Sequence, residues 1–199
     1  MDEIRFYNRT LTPVEIQRLY FSEISRIEGY LRSSVNHSCA LLDGETIKCW
    51  GTAGTMGRLG DGTTGSSPTL TPVAVSNIES ATQISTGTNH SCAVLTDGTI
   101  NCWGEGSYGK LGNNSTAGQA TPVEVLNITT ALQVSAGVEH TCAVLDNDFN
   151  STIQCWGNGE NGRLGNSQAG GTFLYPDGSN TLVSGISTAV QVGTGENFS

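Results

Sequence analysis

The chain has 199 residues, 36% of them hydrophobic, and 9 Lys and Arg stand against 18 Asp and Glu for a net charge of −9. So acidic a chain repels a nucleic-acid duplex and an anionic membrane surface, which argues against nucleic acid as a partner. No apolar run approaches the roughly 18 residues that a membrane helix needs, so no stretch reads as membrane-spanning.

Along Asp2 to Asn8, Ile4 and Phe6 fall on one face and Arg5 and Tyr7 on the other, the period of a short strand. Thr12 then caps a helix from about Pro13 to Tyr20, with Pro13 in the position proline favours and Glu15 completing a capping box. This strand, turn and helix resemble the C-terminal edge of a laminin-G-like (concanavalin-A-like) jelly-roll domain. A jelly roll needs many more strands, so residues 1–21 read as the remnant of one. Residues 22–34 have no clean period and read as a linker able to donate an irregular strand to the first repeat.

From residue 35 the chain repeats itself. Asn36-His37-Ser38-Cys39, Asn89-His90-Ser91-Cys92 and Glu139-His140-Thr141-Cys142 each lead to a Cys-Trp-Gly, at Cys49-Trp50-Gly51, Cys102-Trp103-Gly104 and Cys155-Trp156-Gly157. A second marker, Ala-x-Gln-(Ile/Val), recurs at Ala81, Ala131 and Ala189, and a third, Gly-(Lys/Arg)-Leu-Gly, ends at Gly60, Gly112 and Gly165. Periods of about 50 residues signal propellers or solenoids. In the central unit four strand candidates, about Ala81 to Ser85, His90 to Leu95, Thr99 to Trp103 and Thr121 to Val125, make one four-stranded blade.

The central hairpin carries the register. With Thr96-Asp97-Gly98 as a three-residue loop and Gly98 left-handed, Cys92 falls directly opposite Cys102. Directly opposed residues are within disulfide reach, so the expected bridges are Cys39 with Cys49, Cys92 with Cys102 and Cys142 with Cys155. In the third hairpin Asp146 to Ser151 bulge out as a longer loop. Cys92, Val94, Ile100 and Cys102 then share one face, with Ala93, Leu95 and Trp103 on the other. A sheet apolar on both faces must be sandwiched, as stacked blades are.

The order Gly-x-x-His-(Ser/Thr)-x-Ala-(Val/Leu)-Leu, then Trp-Gly, Gly-x-Leu-Gly and Pro-Val-x-Val resembles the regulator of chromosome condensation repeat family. That resemblance implies seven-bladed β-propellers, so residues 35–199 are expected to form an all-β, partial propeller of about three blades from a longer polypeptide, whose remaining blades would be its neighbours. The cysteines depart from the nuclear members and match the form in secreted or surface-attached proteins. They imply an oxidising, extracellular or cell-surface location.

The chemistry-bearing residues read as architecture. His90, Ser91 and Asp97 lie on one hairpin and recur, whereas a catalytic triad is assembled once from distant segments. His37, His90 and His140 are expected to hydrogen-bond backbone between blades, and Trp50, Trp103 and Trp156 to pack on neighbours. His-x-Cys with Cys-Trp lacks the close ligand pairs of a compact zinc site, and Asp61-Gly62-Thr63 lacks the alternating carboxylates of a calcium loop. No cofactor or enzymatic role is expected. The expected function is a binding or adhesion module engaging a protein or glycan through the loops Thr52 to Met56, Thr63 to Leu70, Gly104 to Gln119 and Gln168 to Asn180. The alternative, which the resemblance implies, is guanine-nucleotide exchange on a small GTPase.

Overall fold

The structure, a computed structural model, describes residues 31–147, 150–168, 170–178 and 181–195. The strand around Ile4, the helix from Pro13 to Tyr20 and the jelly-roll remnant of 1–21 lie outside these residues.

Short β-branched runs punctuated by Gly, Asn and Asp fold as twelve strands among the described residues. Blade 1 contains β1 (Leu31–Ser33), β2 (His37–Leu41), β3 (Ile47–Gly54) and β4 (Gly65–Ala74). Blade 2 contains β5 (Ala81–Thr86), β6 (His90–Leu95), β7 (Ile100–Gly104) and β8 (Gln119–Glu124). Blade 3 contains β9 (Ala131–Ala136), β10 (His140–Asn147), β11 (Asn150–Asn158) and β12 (Thr172–Phe173). Each blade is one four-stranded antiparallel sheet with its strands in sequence order. The innermost strand of blade 1, β1, comes from the segment read as a linker.

In the central hairpin Leu95 N donates to Thr99 O, Gly98 N donates to Leu95 O, and Gly98 has φ 82°. Hydrogen-bonded and non-hydrogen-bonded pairs alternate from there, which puts Cys92 opposite Cys102 in a close, non-hydrogen-bonded pair. Their Cα atoms are 4.1 Å apart and the sulfurs are bonded. Cys39–Cys49 and Cys142–Cys155 are bonded at the same place in their blades.

The other two hairpins differ from the central one. In blade 1, where Asp43-Gly44 sits one residue earlier in the turn, the left-handed residue is Glu45, with φ 58°. Leu42 N still reaches Thr46 O, so the register to Cys39 and Cys49 is kept. In blade 3 the extra residues do not bulge: β10 and β11 stay paired through Asp146↔Ser151 and Asn147↔Asn150, so the insertion lengthens both strands.

Two expected loops are also largely strand. Thr52 to Gly54 belong to β3, and β4 begins at Gly65. Register shifts between Cys49 and Gly51 and between Thr52 and Gly54 absorb the irregular stretch and let the pairing continue.

Strand alternation places the core between blades rather than inside one. Cys92, Val94, Ile100 and Cys102, with Leu111, Val125 and Ile128, pack against Ala131, Val134, Ala143, Leu145 and Trp156 of blade 3. On the opposite face Ala81, Ile84, Ala93 and Trp103 close over Cys39, Ile47, Cys49 and Leu59 of blade 1. Blade 2 thus supplies half of two apolar layers.

Candidate functional site

The repeat residues form a set of bonds that ties each blade to the next. His37 Nε2 lies 2.7 Å from Ser91 Oγ, and His90 Nε2 lies 2.9 Å from Thr141 Oγ1. The histidines therefore bond the hydroxyl that follows the next blade's histidine, a side chain and not the backbone expected from sequence. Thr141 donates its own proton to Lys110 O at 2.8 Å, so it accepts from His90, which fixes that neutral ring as the Nε2–H tautomer. Burial lowers the pKa of His37 to about 4, aided by the nearby Arg58 charge, and lowers that of His90 well below its ordinary value. Burial and Arg163 lower His140 to about 4.

The tryptophans act in the same direction. Trp103 Nε1 donates to Arg58 O at 3.0 Å and Trp156 Nε1 to Lys110 O at 3.1 Å, both carbonyls belonging to the Gly-(Lys/Arg)-Leu-Gly loop of the preceding blade. A Cβ on Gly60 would meet Trp103 Nε1 at 2.7 Å, and one on Gly112 would meet Trp156 Nε1 at 2.8 Å. Glycine is needed at both places for close ring contact and for φ values of 74° and 72°. Trp50, which faces away from blade 2, is only half-buried. The marker glutamine also crosses: Gln83 Oε1 accepts from Val134 N at 2.7 Å, and Gln83 Nε2 donates to Val134 O at 3.2 Å.

Between blades 2 and 3 the loops border an open polar cavity of about 570 Å³, lined by Asn89, Glu105, Ser107, Tyr108, Lys110, Thr116, Val138 and Glu139. Five of these fall in the 104–119 loop singled out in the sequence. Asn89, Val138 and Glu139 do not; they are the variable residues of Gly-x-x-His, whose signal was that they differ while the flanking residues repeat.

The cavity floor is a charge-balanced network. Lys110, 1% exposed, reaches Glu105 Oε2 at 2.8 Å and Val138 O at 3.1 Å, which satisfies a buried ammonium. Asn89 Nδ2 also donates to Glu105 Oε2. Burial acts to raise the Glu105 pKa, but the Lys110 bond and charge with bonds from Asn89 and Ser107 outweigh it and hold the carboxyl below its ordinary range. Glu139 Oε2 accepts from Asn158 Nδ2 at 2.8 Å and Arg163 NH1 at 3.1 Å. At the rim Tyr108 is 42% exposed and held at φ 60° in a 3-10 turn over Ser107–Gly109. Such a wall offers donors, acceptors and an aromatic face without net charge. Asp61 and Asp97, weighed as metal or catalytic groups, each accept from the backbone and hydroxyl of the residue two positions on, Thr63 and Thr99, and so shape turns.

A family model described as regulator of chromosome condensation (RCC1) repeat matches residues 49–94 and 97–144, and a second model of that repeat matches residues 81–110. Residues 49–144 carry RCC1 repeats. It is 32% identical over 117 residues, 56% of its length, to the human E3 ubiquitin-protein ligase HERC2, of which the match spans 2%. Its fold is similar to Prp20p from Saccharomyces cerevisiae, a protein described with its binding to Gsp1p and histones, at TM-score 0.69 and 21% identity over 84% of this chain and 41% of that one. It is likewise similar to human WBSCR16, at TM-score 0.61 and 19% identity over 72% and 37% of the two chains. The chain spans less than half the length of each. These RCC1 blades share a propeller architecture with those structures, and their cystines and polar cavity are features of this chain's own residues.

Proposed function

We propose that this RCC1-type chain is a non-enzymatic recognition module of the cell exterior, which engages a polar protein or glycan surface at the cavity between blades 2 and 3. The observation that carries the reading is the cavity itself, because its walls come from three loops mounted on rigid, cross-bonded blades. The location rests on the cystines: all six cysteines are paired and fully buried, an arrangement that a reducing cytosol does not sustain. The architecture alone assigns no activity, since one fold hosts many functions.

The test uses the oxidised chain on arrays of extracellular protein domains and glycans, beside the variants Tyr108→Ala and Thr116→Arg. Both residues are exposed, so the fold is expected to survive either change. Binding that falls at least about tenfold in both variants supports the reading. Binding indifferent to both, or acceleration of nucleotide release from a small GTPase by the reduced chain, contradicts it and favours the exchange-factor alternative.

A further inference from the structure

Tyr108 has a backbone conformation that its side chain disfavours. Its φ of 60° lies in the left-handed region, where a bulky residue is an outlier. The matching residue of blade 3 is Asn161, at φ 59° in the turn Glu160–Gly162, and asparagine tolerates this conformation through its short polar side chain. The two turns are otherwise alike: Gly106 and Gly159 precede them, and Lys110 and Arg163 follow them. A large ring held where asparagine would fit better points to a use for the ring. That use is not core packing, because Tyr108 is 42% exposed at the rim of the cavity between blades 2 and 3.

Behind the ring, the donors of the cavity are turned into its wall. Lys110 Nζ donates to Glu105 Oε2 and Val138 O. Asn89 Nδ2 donates to Glu105 Oε2 at 3.1 Å, and Asn89 Oδ1 accepts from Asn36 Nδ2 at 3.3 Å. Arg163 reaches Glu139 Oε2 and Glu160 O. Both carboxylates are held through Oε2, yet the Glu105 and Glu139 side chains are still 33% and 32% exposed in the cavity that they line. Their remaining acceptor sites ask a ligand for donors.

The charges decide which donors. Lys110 and Arg163 already neutralise the two carboxylates, and the Arg58 charge acts on Glu105 as well, so a ligand cation gains little here. An anion would meet both carboxylates on a chain of net charge −9. Hydroxyl groups donate without charge.

We propose that the cavity binds an uncharged pyranose of a glycan, with its C–H face on the Tyr108 ring and its hydroxyls donating to Glu105 and Glu139. The inference rests on the recognition role proposed for this cavity and names its ligand class. A pyranose supplies both halves of the match: weakly positive C–H bonds for the negative face of an aromatic ring, and hydroxyls in fixed directions beside them. The cavity volume of about 570 Å³ falls within the roughly 300–1,000 Å³ of small-molecule sites.

The experiment titrates the oxidised chain with the methyl glycosides of glucose, galactose, mannose, fucose, xylose and N-acetylglucosamine, and reads the Tyr108 ring and Thr116 methyl resonances. The methyl glycoside of N-acetylneuraminic acid serves as the anion and Nα-acetyl-lysine methylamide as the cation. At least one neutral glycoside is expected to give saturable shifts with a dissociation constant on the order of millimolar, as suits so small a ligand. Both charged compounds should bind at least about tenfold more weakly. Tyr108→Asn, which takes the residue of blade 3, should weaken the best sugar at least about tenfold without lowering the thermal midpoint, because it relieves the backbone. Tyr108→Phe, which keeps the ring, should stay within about threefold of the parent. The absence of a saturable shift with every neutral glycoside overturns the proposal, and so does Tyr108→Asn binding as tightly as the parent. The lysine compound binding as tightly as the best sugar overturns it in favour of a protein side chain and leaves the recognition role standing. That role fails separately, on array binding indifferent to Tyr108→Ala and Thr116→Arg.

Discussion

His90 Nε2 sits 2.9 Å from the hydroxyl of Thr141, a residue of the next blade, and both are fully buried. The same bond joins His37 to Ser91 one blade earlier. A buried imidazole that loses its partner keeps its desolvation cost, about 1–3 kcal/mol. Thr141→Val should therefore destabilise the chain by about that amount, and Thr141→Ser by much less. Urea unfolding of the two variants checks this; a loss of stability in Thr141→Ser that is absent from Thr141→Val would mean that the methyl packing of Thr141, and not its hydroxyl, matters.

The lowered histidine pKa values make stability depend on pH. Between an ordinary value near 6.5 and the folded value of about 4 for His37 and His140, the unfolded chain binds protons that the folded chain does not. Stability is then complete above about pH 6.5 and falls as the pH drops towards 4, by at most ~3 kcal/mol for each buried ring. The urea midpoint should fall between pH 7 and pH 5, and less steeply in His37→Gln. A midpoint that stays level over that interval would show that these rings are accessible to protons in the folded state.

Glu45 carries the left-handed turn that Gly98 carries in blade 2. A non-glycine residue there costs roughly 1–2 kcal/mol, partly offset by the backbone freedom that glycine loses on folding. Glu45→Gly should stabilise the chain by up to ~1 kcal/mol, read as a rise in thermal midpoint. A fall in midpoint would place a contact of the Glu45 side chain above the backbone strain.

Trp156 is fully buried between blades 2 and 3 against Gly112. Trp156→Ala should cost about 3–5 kcal/mol through the cavity it leaves. Gly112→Ala should cost more than about 1 kcal/mol, because its Cβ meets both Val125 and the indole at a positive φ. A Gly112→Ala chain as stable as the parent would mean that blades 2 and 3 separate freely enough to make room.

The blade is legible in the sequence because its signals are local and repeated. Asp97-Gly98 marks the turn, the ten-residue spacing of Cys92 and Cys102 follows from that turn, and alternation sorts Val94 from Ala93. What joins one blade to another is not local. The Thr141 hydroxyl, the Lys110 carbonyl and the Gln83 amide all act on residues some 50 positions away, and their recurrence is visible in the sequence while their direction is not. Strand ends are obscured where bulges intervene, since Thr52 and Gly65 look like loop residues and are held in the ladder by a shifted register. The cavity by Tyr108 is half visible: the long 104–119 loop announces itself by length, whereas Asn89 and Glu139 sit in short turns that look purely structural.

The cysteines staple each blade, and on that central point rests their assignment to an oxidising compartment. Each bridge should contribute ~3 kcal/mol through loop closure, which makes its presence in the native protein consequential. The direct measurement is to block free thiols in the protein taken from its own source without reductant and to map the peptides by mass spectrometry. The expected result is no alkylated cysteine and the linked pairs Cys39–Cys49, Cys92–Cys102 and Cys142–Cys155, each gaining two hydrogens on reduction. All six cysteines recovered as alkylated thiols would contradict it.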